Sequence, residues 1–311
     1  MRTNTTIAKT DVYTRVTDRI IANLEAGTRP WLKPWSVPKN GNVASLPLRS
    51  NGTPYRGINV LLLWGEAIDK GFTSTTWITY KQAVERGAHV RKGVHGSTVV
   101  YPDRATTTET NDKGEEVERG FAFLKAYTVF NVEQVEGLPA SFYAKPAPRD
   151  ESHTVETIAA AEDFFARTGA TFRHGGNRAF YTTVGDFIQL PPVQAFRDAE
   201  SYTATKAQEL IHWTGHESRT ARQFGKRFGD KAYAFEELVA ELGSAFLSAQ
   251  LGVTPEPRED HAAYLASWLK VLKDDKRAIF SAAAHAQRAA DFLQSLQGHE
   301  AQGEEEELQV A

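Results

Sequence analysis

Residues 208–216 read QELIHWTGH, and the reading of this stretch decides the fold of the second half of the chain. On a helix, positions 208, 212 and 216 share a face because they are four apart. Two metal ligands one turn apart grip an edge of a metal ion, and an acid directly after the first ligand reaches the metal-bound water. That is the logic of the H-E-x-x-H pattern. Glu209 stands at the general-base position and His212 at that of the second ligand, but Gln208 occupies the position of the first.

Catalytic zinc ordinarily takes three protein ligands and one water, so a third ligand is expected from a later helix. FEELVAEL (235–242) offers Glu236, Glu237 and Glu241. Glu237 and Glu241 are four residues apart, so one can bind the metal while the other steadies a ligand. A strand ending FIQLPP (187–192) precedes the E-x-x-H helix, and the glutamate helix follows. That order is the order of a minimal zincin-like metallopeptidase domain. Gln208 leaves three readings open, because its neutral amide oxygen is a poor zinc ligand. His216 replaces it as an alternative ligand, although Trp213 rather than Glu209 would then follow the first ligand. Alternatively Gln208, His212 and Glu237 hold a weak site, or a harder metal such as manganese. In the third reading there is no metal, and a retired peptidase domain serves for binding. Histidines and glutamates on amphipathic helices are also ordinary surface or core groups, so the spacing gains its weight from the order of elements.

The front of the chain has a different character. Residues 1–101 hold 14 Lys or Arg against 6 Asp or Glu, whereas residues 151–311 hold 16 against 24, although the whole chain has a net charge of only −3. A basic front joined to an acidic back suggests a polyanionic partner for the front. RPWLKPW (29–35) sets Trp31 and Trp35 on a proline-stiffened loop beside Arg29 and Lys33. Exposed indoles among cations suit single-stranded bases stacking on rings while cations meet phosphates. Arg56, Lys81, Arg91 and Lys92 complete the candidate DNA-binding set, with Gly93 and Gly96 beside them in VRKGVHGS (90–97). The competing reading is that Trp31 and Trp35 fold back onto the core. Trp64 and Trp77 sit in apolar or helix-start settings and read as core.

Helices are expected over 10–26, 55–71 and 76–93, and strands over 97–103 and 120–135 flank a polar hairpin tip. A helix near 154–168, strands around a Gly185-Asp186 turn and four further helices make up the second half. The expected fold class is therefore α+β with two domains, a mixed α/β nucleic-acid-binding domain and a minimal zincin-like domain. The expected division is 1–145, a linker at 146–153, 154–298, and an acidic flexible tail at 299–311. There are no cysteines, which excludes disulfides, thiolate metal ligands and a thiol nucleophile. No apolar run is long enough to span a membrane, and the N-terminus lacks the apolar centre of a signal peptide. The expected location is cytoplasmic.

The chain resembles the ArdC-type antirestriction family of plasmid proteins over about residues 8–252. In front, the resemblance rests on RPWLKPW, YRGINVLLLW (55–64), WITYKQAVERGAHVRKG (77–93) and FNVEQVEGLP (130–139). Behind, it rests on ELIHWTGHESR (209–219) and FGDKAYAFEELVAELGSAFL (228–247). The resemblance implies an N-terminal single-stranded-DNA-binding domain and a C-terminal zincin-like metallopeptidase domain. It also implies protection of incoming DNA from host restriction during conjugation, with single-stranded DNA and a host restriction-modification subunit as partners. The family's metal helix reads H-E-L-x-H-W-T-G; Glu209, His212, Trp213, Thr214 and Gly215 match it and Gln208 does not. Its later glutamate maps to Glu237, with Glu241 in the supporting position. The implied cofactor is one divalent metal, zinc or alternatively manganese, weakened or absent because of Gln208.

Overall fold

A computed structural model of the chain describes residues 11–29, 31, 45–110, 116–143, 151–224, 231–253 and 261–298. Lys33, Trp35, most of the expected linker and the expected tail lie outside the described residues. Asp11 starts the first helix, α1 (Val12–Glu25), by accepting from the backbone N–H of Thr14 at 3.0 Å. Its apolar stripe of Val16, Ile20 and Leu24 is buried. Strand β1 (Leu48–Arg49) then leads to α2 (Ile58–Lys70), which buries Val60, Leu61, Leu63 and Trp64.

The stretch expected as one helix over 76–93 begins instead as strand β2 (Thr76–Thr79). Its TWIT sequence is β-branched and aromatic, which suits a pleated position inside a sheet. Thr79 then caps the short helix α3 (Tyr80–Glu85) in a capping box with Gln82. Strand β3 (His89–Val90) follows. Strands β4 (Ser97–Thr110) and β5 (Glu116–Asn131) form an antiparallel ribbon paired out to Thr110 and Glu116, well beyond the expected strand ends. The first sheet runs β1-β2-β5-β4, with β1 parallel to β2 and the other pairs antiparallel. Strand β6 (Val135–Glu136) pairs with β3 as a separate two-stranded element.

The second half opens with α4 (Glu151–Arg167), which takes up the last residues of the expected linker. Strands β7 (Thr171–His174), β8 (Phe180–Thr182) and β9 (Phe187–Leu190) form a sheet of order β7-β9-β8, so β8 is an edge strand. Four helices complete the fold: α5 (Ala199–Thr214), α6 (Lys231–Leu251), α7 (His261–Asp274) and α8 (Ala278–Ser295). Helix α6 packs closely on α5 at Gly243, where an added Cβ would lie 2.8 Å from Ile211 Cγ2. Among the described residues, no helix is long and apolar enough to cross a membrane.

The two domains share apolar contacts. The core that holds Val16, Trp31, Val60, Trp64 and Trp77 also holds Leu238, Leu242 and Phe246 of α6, Trp268 of α7 and Ile279 of α8. Trp31 meets Trp268 edge-on with ring centroids 6.3 Å apart, and Trp64 meets Phe246 at 5.9 Å. Trp31 is 0% exposed. The expectation of a solvent-exposed indole is corrected here, because the ring fills the space between the halves and its Nε1 donates to Glu241 Oε1 at 3.1 Å. Trp64 and Trp77 are core residues, as expected. Replacing Trp31 with alanine opens a cavity and removes one donor to the buried Glu241 carboxylate. Trp31→Ala is expected to cost about 3–5 kcal/mol, read from guanidinium denaturation; an unchanged midpoint would contradict this packing.

Candidate functional site

Asp198 caps α5 by accepting from Ser201 N–H at 2.7 Å. From Tyr202 to Thr214 every residue of the helix is buried. The helix ends at Thr214 because the chain turns at Gly215 and folds back over its own end. A Cβ at Gly215 would lie 2.6 Å from Phe224 and 2.9 Å from Arg222 Nη2, so the returning segment needs glycine there. That return delivers Arg222 into the protein. Its guanidinium donates to Ile211 O at 2.6 Å, to Thr214 Oγ1 at 2.7 Å, and to both carboxylate oxygens of Glu236 at 2.9 and 3.0 Å.

Glu236 also accepts from His212 Nδ1 at 3.1 Å. The other ring nitrogen, Nε2, faces Glu237 Oε2 at 3.7 Å. Burial opposes a charge on His212, but the Glu237 carboxylate and the Glu236 hydrogen bond outweigh it and hold its pKa well above the ordinary histidine value. Burial likewise pushes Glu236 up, yet His212 and Arg222 hold it below the ordinary carboxylate value. Gln208, Glu209, His212, Glu236 and Glu237 line a cleft of about 920 Å³, together with the edge strand β8 and the rim residues Arg178 and Arg197. Tyr233 and Tyr264 also line it, their hydroxyls 3.2 Å apart.

The structure thus brings Gln208, Glu209, His212 and Glu237 to one cleft, and two other expected placements are corrected. Glu241 does not support the cleft. One turn along α6 from Glu237, it points toward the front half, where it takes Trp31 Nε1 and pairs with Arg29 at 3.4 Å. The carboxylate that holds His212 is Glu236. His216 lies beyond the end of α5, with its Nδ1 bonded to Ser218 Oγ at 2.8 Å, and is not a cleft residue. Four-residue spacing puts His216 beside His212 only while the helix continues, and Gly215 stops it.

Among the candidate DNA-binding residues, Arg29 is half-buried against Glu241 and Arg56 is exposed but paired with Asp291. Lys81 is exposed and lies 3.7 Å from Glu85, while Arg91 and Lys92 are exposed. Arg29 meets the same Glu241 oxygen as the buried Trp31 indole, whereas Arg56 and Lys81 pair with other carboxylates. Glu236 and Arg222 were missed as site residues. The adjacency of Glu236 to Glu237 was a signal; Arg222, in a polar stretch, gave none.

The donor set limits what ion it suits. Among the described residues, no group of three or more His, Cys, Asp or Glu side chains is placed to hold a metal ion. His212 Nε2 and Glu237 Oε2, at 3.7 Å, approach the roughly 3.4 Å between two ligands of a tetrahedral ion. Gln208 lines the same cleft, and its neutral amide oxygen is a poorer zinc ligand than an imidazole.

Comparison with known proteins agrees with both halves. Residues 10–130 match the N-terminal domain of anti-restriction factor ArdC, and residues 159–285 match a zincin-like metallopeptidase family. The crystal structure of the antirestriction ArdC protein from plasmid R388, in its metal-free form, is similar with a TM-score of 0.76 and 46% identity, covering 93% of this chain and 98% of that one. Its Mn(II)-bound form gives 0.74 and 45%, covering 94% and 100%. The uncharacterized protein y4eC of Sinorhizobium fredii (strain NBRC 101917 / NGR234) is 39% identical over 93% of each chain. A DNA primase TraC of Escherichia coli is 40% identical over 92% of this chain, which spans only 27% of that protein. Within the cleft, removing Arg222 leaves Glu236 a buried charge short of its main partner. Arg222→Leu is expected to cost about 3–5 kcal/mol in urea unfolding; a loss under about 1 kcal/mol would show that the pair is solvated.

Proposed function

This chain belongs to the ArdC antirestriction family, and on that premise we propose that it binds single-stranded DNA and protects DNA entering by conjugation from host restriction. Its cationic front takes the DNA, and its zincin-like half acts on or grips a protein of the restriction system. The observation that carries this reading is the double use of α6. That helix brings Glu236 and Glu237 to the cleft and Glu241 to Trp31 and Arg29 of the front half. The excess of cations in residues 1–101 supports a polyanion there. Affinity for a fluorescent oligonucleotide is expected to fall steeply with salt as counterions are released; a flat response would count against phosphate contact.

In the peptidase reading, His212, Glu237 and the Gln208 amide would hold a divalent cation. Such an ion, when bound, polarises a carbonyl and acidifies water. Glu209 is the group that accepts a proton there. Arg222 fixes Glu236, and Glu236 fixes the Nδ1 proton of His212, so Nε2 stays aimed at Glu237. The edge strand β8 along the cleft suits an extended peptide added by backbone hydrogen bonds. The expected location remains cytoplasmic, where restriction acts.

Gln208 favours a second reading, in which the cleft grips a restriction subunit without cutting it. Elemental analysis of protein purified without chelator or metal-affinity resin separates the two. Less than one equivalent of metal is expected in the unmodified protein, and more in Gln208→His; equal and full loading would remove the case for impairment. Where peptide cleavage is measurable, Glu209→Ala should abolish it and leave oligonucleotide binding intact. A pull-down indifferent both to chelator and to Glu209→Ala would support gripping.

A further inference from the structure

The burial of Trp31 leaves the question of which rings meet the bases, and the ribbon of β4 and β5 supplies some. Strand β2 pairs with β5 only from Val129 to Asn131, so toward the ribbon tip β5 is paired with β4 alone. Val129, Tyr127, Lys125 and Phe123 alternate along one face of β5, opposite Ser97, Val99, Tyr101 and Asp103 of β4. The inner members of this face, Val99 and Val129, are anchored in the core. The outer ones emerge into solvent, with Tyr127 43% and Phe123 37% exposed.

Cations bracket these rings. Tyr101 and Tyr127 meet edge-on with centroids 5.7 Å apart, and Lys125 Nζ lies 5.5 Å from the Tyr127 centroid. Arg49 lies 5.7 Å from the Tyr101 ring and 5.5 Å from Tyr55, and its Nε is buried without a hydrogen-bond partner. Arg29, Arg56 and Lys81 each face a carboxylate, whereas Arg49 is held by aromatic rings. Lys125 has one acidic neighbour, Asp103, at 3.6 Å. Lys125 and Arg49 therefore offer cations to a polyanion at the root of the ribbon.

We propose that this face is where single-stranded DNA lies, with bases stacking on Tyr127 and Phe123 and phosphates meeting Lys125 and Arg49. The assignment rests on the single-stranded-DNA reading above. Tyr127 and Phe123 are four residues apart on the strand, about 13 Å, with Lys125 between them, so a phosphate can meet the lysine while non-adjacent splayed bases stack on the two rings. Stacking requires unpaired bases, so this face distinguishes a single strand from a duplex.

The test is fluorescence anisotropy with a labelled oligothymidylate on the full chain. Tyr127→Ala with Lys125→Ala is expected to weaken binding by about fivefold or more, while Tyr127→Phe retains it. Unlabelled duplex of the same length should compete poorly. Circular dichroism melts check that the variants fold, and Lys125→Glu alone, at an exposed position, probes the same face with both rings kept. If the unmodified protein binds and the double variant and Lys125→Glu bind equally well, this surface is wrong while the DNA reading stands. Equal competition by duplex likewise overturns the stacking assignment. Absence of binding by the unmodified protein overturns the DNA reading and this surface with it.

Discussion

Glu236 cannot remain ionised in a buried setting on its own. Desolvating a lone carboxylate costs several kcal/mol even after relaxation, so the fold surrounds it with two cations, the Arg222 guanidinium and the His212 imidazole. Much of the local architecture follows from that constraint. Arg222 reaches Glu236 only because the chain reverses after α5, and the reversal requires Gly215. The same guanidinium takes up Ile211 O, a carbonyl near the end of the helix that also accepts from Thr214 Oγ1 at 2.6 Å. His212, tied through Nδ1, has one orientation left, with Nε2 toward Glu237. A carboxylate held by Arg222 and His212 thus fixes the geometry of the cleft.

Helix α6 extends that control to the other half. Its glutamates at 236, 237 and 241 differ in destination because each turn of the helix meets different neighbours, Arg222 and His212 at Glu236 and Glu237, and Trp31 and Arg29 one turn on at Glu241. Two enter the cleft, and the third faces Trp31 and Arg29. The helix around them is almost wholly buried, so each carboxylate needs its own cationic or N–H partner. The shared apolar core holds the parts in register: Leu238, Leu242 and Phe246 pack among Val60, Trp64 and Trp31. A shift of α6 along its axis would therefore disturb the cleft and the front together.

Much of this was legible in the sequence. Long periodic stretches gave the helices over 58–70, 199–214 and 231–251, and the strand, E-x-x-H helix, glutamate-helix order gave the cleft. What failed was decided by tertiary partners. Spacing tells which residues share a helical face, but not which face meets which neighbour, so Glu241 was given the role of Glu236. A loop of prolines and tryptophans reads as exposed until a complementary cavity exists, here between Trp268 and Glu241. TWIT was read as helix because its strand partner, Val129–Asn131, lies some fifty residues away. Arg222 was illegible because its meaning depends on a reversal that one glycine permits.

Gln208 becomes intelligible in terms of charge. Three carboxylates, Glu209, Glu236 and Glu237, line the cleft; His212 faces Glu236 and Glu237, and Arg222 faces Glu236. Glu236 and Glu237 on either side of His212 favour the protonated form of its imidazole. A metal ion must displace that proton to bind, because only neutral imidazole is a ligand. A histidine at position 208 would add a second imidazole donor to offset the cost of that exchange, and the glutamine adds only an uncharged amide. In the peptidase reading, position 208 therefore bears on the competition between proton and metal at His212.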